Sequence, residues 1–396
     1  MTIEALLDRG VIIHCPEATI IGTEVNPDRF EAGVEIYPST TVVGAESLYR
    51  AGTKLGKAGG GYFNNVRAGR NCDLFGGYFD DCVFLDGVVV RGHSEVRGGT
   101  LLEEGCEAAH HCGYKMTVML PFVVAGSLIN FCDAFFAGGT SRKDHSEIGS
   151  CLALYNYTPW SDKFASQFGD VASGVFMRSP RIFVGGQTQV VSPVHVDYGS
   201  VIPAGCAVRR SVPAGRLYGE RMIPTDMPFD PTLYGGLAPK FALTRQYVGN
   251  LRALQAWYAT VRRPNADGAL EAALLDAAVA QIEAGINERI KRLGKIIDKL
   301  PASREQHATA LAGALPKAMP LHRKRIVEHD ALTSGWADLK ATLHAPFDTT
   351  GAGLDALEEI GVRRGGGDYF VFLKELPDEL IERGTSSLQS VVDAYC

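Results

Sequence analysis

No stretch of this 396-residue chain approaches the roughly 20 consecutive apolar residues that a membrane-spanning helix needs. An excess of basic charge is also missing. The 39 Lys+Arg are outnumbered by 45 Asp+Glu, giving a net charge of −6 and a pI near 6.0. That balance argues against a nucleic-acid binder or a binder of anionic membranes. The opening MTIEALLDRGVIIHCPEA carries two acids before any basic residue and lacks the basic start, apolar block and cleavage site of a secretion signal. A cytoplasmic location is expected. None of the nine cysteines forms a CxxC pair, and their scatter from Cys15 to Cys396 fits neither a disulfide framework nor a zinc ribbon. Small buried thiols are expected, and no metal.

What is present supports a folded chain. Hydrophobic residues make up 46% and charged residues 21%, with a mean hydropathy of +0.01, which excludes wholesale disorder. The length suits about two to three domains. Composition changes along the chain. Residues 1–236 are rich in Gly, Val and turn residues and hold all of the net negative charge, whereas the remainder balances to zero and is rich in Ala and Leu. Between them, PTDMPFDPTLYGGLAP (224–239) reads as a linker.

In residues 184–212 an apolar residue recurs at every sixth position: Val184, Val190, Val196, Ile202 and Val208. The same step runs through Phe30, Ile36, Val42 and Leu48, and through Phe84, Val90, Val96 and Leu102. Neither a helix nor an alternating strand has that period. A parallel β-helix does: one aliphatic residue per hexad enters a narrow core, and three hexads close a coil. Each coil then covers its neighbour, so stability comes from stacking. A β-helix is expected over residues 1–223 and an α-helical domain over 240–396.

The hexads resemble those of hexapeptide-repeat acyltransferases. Residues 84–221 are similar to the acetyltransferase domain of the bifunctional N-acetylglucosamine-1-phosphate uridyltransferase/glucosamine-1-phosphate acetyltransferase family. The matching stretches include Arg97-Gly98-Gly99 before LLEEG (101–105), Lys115, AGSLINFCD (125–133), Asn156-Tyr157, Lys163, FVGGQTQVVSPV (183–194), IPAG (202–205) and Arg221. The resemblance implies a left-handed coil, a homotrimer with sites between subunits, acetyl-CoA (or another acyl-CoA) as co-substrate and a small-molecule amine acceptor. No Gly-rich nucleotide loop precedes the coils, so no uridyltransferase half is expected in this sequence.

Arg97 and Lys115 stand one 18-residue coil apart, so they can stack as a seat for a phosphate or carboxylate; the plainer reading is a solvated basic face. The resemblance gives this pair the sugar phosphate, places Asn156 and Tyr157 beside the reacting amine, and brings Lys163, Gly186, Ala204 and Arg221 to coenzyme A. Three replacements and one insertion bear on the chemistry. The family's general-base histidine is replaced by Ser127, and a serine hydroxyl cannot store a proton near neutral pH. The family's phosphate-binding tyrosine is Asn130, and a serine near the thioester is Gly186. Residues 133–147 are about one hexad longer than in the family and contain SRKDHSE. His145 lies 18 residues beyond Ser127, so a regular coil would set it one rung above as the substitute base. His110 and His111 are the other candidates.

The tail has helical spacing. Tyr247, Leu251, Leu254, Tyr258 and Val261 form one apolar stripe, and Leu275, Val279, Ile282, Ile286, Leu293, Ile297 and Leu300 form a second. RRPNADG (262–268) supplies a turn, giving an antiparallel hairpin. Further helices are expected in 303–344 and 376–394, with a short strand at DYFVFL (368–373). Two functions follow: an N-acyltransferase, or a non-catalytic sugar-phosphate or nucleotide-sugar binding or scaffold protein.

Overall fold

The structure, a computed structural model, describes residues 2–160, 162–220, 226, 230–313, 316, 318–347, 353–365 and 367–396. After a short helix α1 (Thr2–Asp8), the chain winds into a parallel β-helix with three faces. The first face is a 10-stranded sheet of two-residue strands, from Ile12–Ile13 to Val201–Ile202. The second and third faces are joined into a 16-stranded sheet by two long strands, Gly113–Met119 and Asn130–Phe136, which turn the corner without a break.

The hexad residues land on successive faces. Val184 and Ile202 pair on the first face and Val190 with Val208 on the second, while Val196 lies on the third; all five are fully buried. Aromatic rings stack in the same columns, as Phe63 on Phe79 (centroids 4.8 Å) and Phe136 on Phe168 (4.5 Å). Corners need tight reversals. Asn65, Asp81, Met116 and Asp133 take positive φ of 48° to 64° between the second and third faces, a conformation that Asn and Asp tolerate best.

The three faces differ in what lies outside them. Outward side chains of the first two faces meet solvent, among them Ile12, Ile20, Tyr62 and Tyr78. On the third face the outward column Arg67, Val83, Leu101, Val118, Phe135 and Gln167 is buried. The cover is the helical part. One short helix, α2 (Val171–Gly174), belongs to the coils. Then α3 (Leu237–Trp257) and α4 (Ala269–Ile297) form the expected antiparallel hairpin, with α3 starting inside the 224–239 interval. They are followed by α5 (Leu300–Gly313), α6 (Met319–Ser334), α7 (Trp336–His344), α8 (Asp355–Arg364), α9 (Tyr369–Glu375) and α10 (Asp378–Asp393). The apolar stripe of α4 faces inward through Leu275, Ile282, Ile286, Leu293 and Ile297. The strand expected at 368–373 is helix α9 instead. Asp368 caps it, its carboxylate accepting the backbone N–H groups of Phe370 (2.9 Å) and Val371 (2.8 Å).

Helix α4 runs lengthwise along the coils. Near its start Glu271 faces Arg50 (3.5 Å). Midway, Gln281 accepts the Gly99 N–H (2.6 Å) and donates to Asp81 (3.2 Å). Further on, Arg289 is bonded to Asp133. In the helical turn that follows α3 (Tyr258–Arg262), Tyr258 donates to Glu103 (2.6 Å) and Arg262 pairs with Glu104. Burial pushes the Glu103 carboxyl up to about 7, with Glu104 adding to the shift and Arg262 opposing it.

Candidate active site

The corner between the second and third faces gathers the expected anion-binding residues. Val96 pairs with Tyr114 and Lys115 with Cys132, and the Arg97 N–H donates to the Tyr114 carbonyl (2.9 Å). Arg97 and Lys115 therefore stand on successive rungs. The Arg97 guanidinium also lies 3.1 Å from Glu95 on its own strand. Cys132 continues the column. Burial and Asp133 push its thiol pKa up, while Arg97, Lys163 and Lys115 pull it down, so all three cations act on this one point. Asn130, exposed, projects from the middle of the same face.

Asn156, Tyr157 and Lys163 reach this corner on a hairpin that the repeat does not require. The Phe164 N–H donates to the Asn156 carbonyl (2.9 Å), the Thr158 N–H to the Asp162 carbonyl (2.9 Å), and Tyr157 bridges Lys163 in antiparallel pairing. The Lys163 ammonium sits 5.9 Å from the centre of the exposed Tyr157 ring. The other side of the hairpin is gripped by the helical part: Tyr234 donates to the Trp160 carbonyl (2.7 Å), and Lys299 lies 3.7 Å from Asp162. At its base, the Asn156 amide donates to one oxygen of buried Asp133, whose other oxygen holds buried Arg289 of α4. The amide N–H₂ of Asn156 is thereby fixed. The Asp133–Arg289 link was not anticipated. It joins residues 156 positions apart in sequence.

Ser127, Gly186 and Ala204 lie elsewhere, in a column at the corner between the first and second faces. Leu128 N–H donates to the His110 carbonyl (2.9 Å), Cys151 to Ser127 (2.8 Å), Gln187 to Ser150 (2.8 Å) and Gly205 to Gly186 (2.9 Å). The column thus reads His110, Ser127, Ser150, Gly186, Ala204. A Cβ on Gly186 would sit 2.9 Å from the Ser150 carbonyl oxygen, a close approach that favours glycine at this position.

His145 is not one rung above Ser127. Ala125 pairs with Ile148, a step of 23 residues, and this longer coil puts Ser150 in that place, its hydroxyl accepting the Ser127 N–H (3.1 Å). His145 sits across the Glu147–Ile148 strand, its Nδ1 3.0 Å from the Arg142 carbonyl oxygen. The histidine nearest Ser127 by register is His110. The added length of the 133–147 segment falls in residues 137–146, at the corner between the third and first faces and away from the cations. Arg221 lies outside the described residues. Within one chain the two groups are separated by the width of the second face, roughly 16 Å from Ser127 to Cys132 at ~3.3 Å per residue.

No protein-family model matches the chain. Over 215 residues it is 28% identical to the bifunctional protein GlmU of Pelobacter propionicus, covering 54% of this chain and 41% of that protein. It is 25% identical over 227 residues to the bifunctional protein GlmU of Nitratidesulfovibrio vulgaris (57% and 45%), and 24% over 208 residues to that of Streptococcus equi subsp. zooepidemicus (52% and 40%). The chain spans less than half the length of these curated relatives. Similarity and parallel β-helix agree with the resemblance carried by the hexads.

Proposed function

We propose that the β-helix is an acyl-coenzyme A-dependent N-acyltransferase acting on the amine of a small anionic acceptor, such as an amino-sugar phosphate. The observation that supports it is the convergence of Arg97, Lys115 and Lys163 beside Asn156 and Tyr157. The acceptor's phosphate or carboxylate seats on Arg97 and Lys115, as a charge-assisted contact. The Asn156 carbonyl oxygen, steadied through Asp133, accepts an N–H of the amine and orients its lone pair. The amine nitrogen bonds to the thioester carbonyl carbon, the C–S bond breaks, and coenzyme A leaves as the thiol. The backbone N–H near Ala204 polarises the thioester oxygen. His110, next to Ser127, takes the amine proton and passes it to the departing thiolate.

The two residue groups stand at opposite edges of one face, so a site that uses both is completed by a second copy. A homotrimer meets that need, with a solution mass near three times 42.6 kDa. A monomer at micromolar concentration contradicts it. With glucosamine 1-phosphate and acetyl-CoA, free thiol should accumulate. Lys115→Ala should raise the acceptor KM roughly 10- to 100-fold, from the ~1.5–3 kcal/mol of a charged hydrogen bond, and leave the acetyl-CoA KM unchanged. Equal effects on both substrates contradict the assignment. The serine at position 127 favours a second reading, a binding protein without catalysis. Thermal stabilisation by the amino-sugar phosphate, with no thiol released and no response to acetyl-CoA, would select it.

A further inference from the structure

Two departures from the repeat lie side by side at the corner between the third and first faces. Elsewhere this turn is short, as from Phe84 to Val89 or Leu102 to Glu107. After Phe136 it runs on to Glu147, and after Phe168, through α2, to Phe183. Helix α9 lies over this corner: Arg178 of the second extension bonds to its Leu373 and Lys374 carbonyls, and Phe122 of the preceding coil meets Phe370. Between the three lies a cavity of about 700 Å³, a size suited to one small molecule.

Its floor is apolar: Phe122, Phe176 and Met177 from the coils face Phe370 and Leu373 from α9, with Phe370 and Phe122 ring centres 4.6 Å apart. Its rim is cationic. Arg142, Lys143, Arg178 and Lys374 line it against one carboxylate, Asp368, which is already committed to capping α9. Arg142 pairs with Glu107, and Arg178 donates to the carbonyls of Leu373 (3.3 Å) and Lys374 (3.0 Å). Lys143 and Lys374 are exposed and have no acidic partner among the described residues. A neighbouring cavity of about 660 Å³ shows the opposite balance. Acidic residues outnumber basic ones there, and its Arg70 and Arg262 pair with Asp267 and Glu104.

We propose that the cationic cavity binds a small anionic amphiphile: a carboxylate, sulfonate or phosphate on an aromatic or acyl body. The anion sits between Lys143 and Lys374, where the local field is positive, and the apolar body covers Phe122, Phe370 and Met177, removing their surface from water. This site is separate from the acyl-transfer corner and does not depend on it.

The test is fluorescence titration of the full chain with anilinonaphthalene sulfonate, an aromatic anion. Saturation at one probe per chain is expected, with displacement by laurate if the natural body is acyl and by adenosine monophosphate if it is an aromatic phosphate. The Lys143→Glu, Lys374→Glu double variant, at two exposed positions, should weaken the probe at least 10-fold. Met177→Trp, which fills the floor, should abolish binding. Any response to acetyl-CoA should be unchanged in both variants. Probe binding unaffected by both variants, or displaced by neither competitor, would overturn the proposal.

Discussion

From Leu55 to Ala125 the rungs of the first face follow at 16 to 19 residues, through Leu74, Val90 and Ala108. From Ala125 the next step is 23 residues, to Ile148, and the one after it 36, to Val184. Both regions bury the same kind of column, since Leu74, Val90, Ile148 and Val184 are all inaccessible. What differs is the corners. A regular coil spends nearly every residue on stacking against its neighbours, so its outer side chains, Arg97 and Lys115 among them, line up in columns that the lattice spaces. The long coils carry the Asn156–Lys163 hairpin and the cationic cavity. In this molecule groups converge where the repeat is interrupted, and the regular coils supply the rigid frame.

Two substitutions of similar cost separate frame from site. Phe79→Ala removes a fully buried ring from a regular coil and should cost about 3–5 kcal/mol in chemical denaturation, with kcat of the folded protein unchanged. Arg289→Met leaves Asp133 buried without its partner, also a loss of about 3–5 kcal/mol. It should in addition lower kcat roughly 10²-fold by releasing Asn156, with the acetyl-CoA KM preserved and partial recovery in Arg289→Lys. If both variants lose only stability, the long coils are frame as well.

A smaller effect tests the helix-docking contact on the regular coils. Because the Glu103 carboxyl titrates near 7 when folded and near its ordinary 4.5 when unfolded, the native state holds the proton more tightly. The resulting stability is full below about pH 4.5 and is lost as pH rises through 7, by ~1–3 kcal/mol. Denaturation midpoints measured from pH 5 to 8 should fall, and Glu103→Gln should flatten that slope. The smallest effect is expected on the outer surface of the coils. Tyr62 and Tyr78 stack on the open second face with centroids 5.4 Å apart, and Tyr62→Ala should cost about 0.5–1.5 kcal/mol without touching activity.

The β-helix was legible because each hexad places one apolar residue inward, and the α3–α4 hairpin because its stripes are continuous. The docking of that hairpin was legible in part. Val83, Leu101, Val118 and Phe135 are apolar on the outer side of the third face, a signal that something covers it. Counting by 18 failed at His145, since a corner insertion shifts every later residue relative to the rungs while leaving the inward pattern intact. DYFVFL carries strand-like residues, yet Asp368 satisfies the first amide groups of a helix, and that local bond decides the outcome. The Asp133–Arg289–Asn156 connection depends on α4 lying along the corner, which no spacing within the coils encodes.

A stack of coils held only by contacts between neighbours can lose its ends one layer at a time. The 29-residue helix α4 changes that mechanics. It is pinned at Arg50, at Asp81 and Gly99, and again at Asp133. Peeling any one coil within that span must strain a rod anchored to the others. The helix behaves as a tie bar along a column of bricks, turning a structure that would fray by layers into one that opens as a unit.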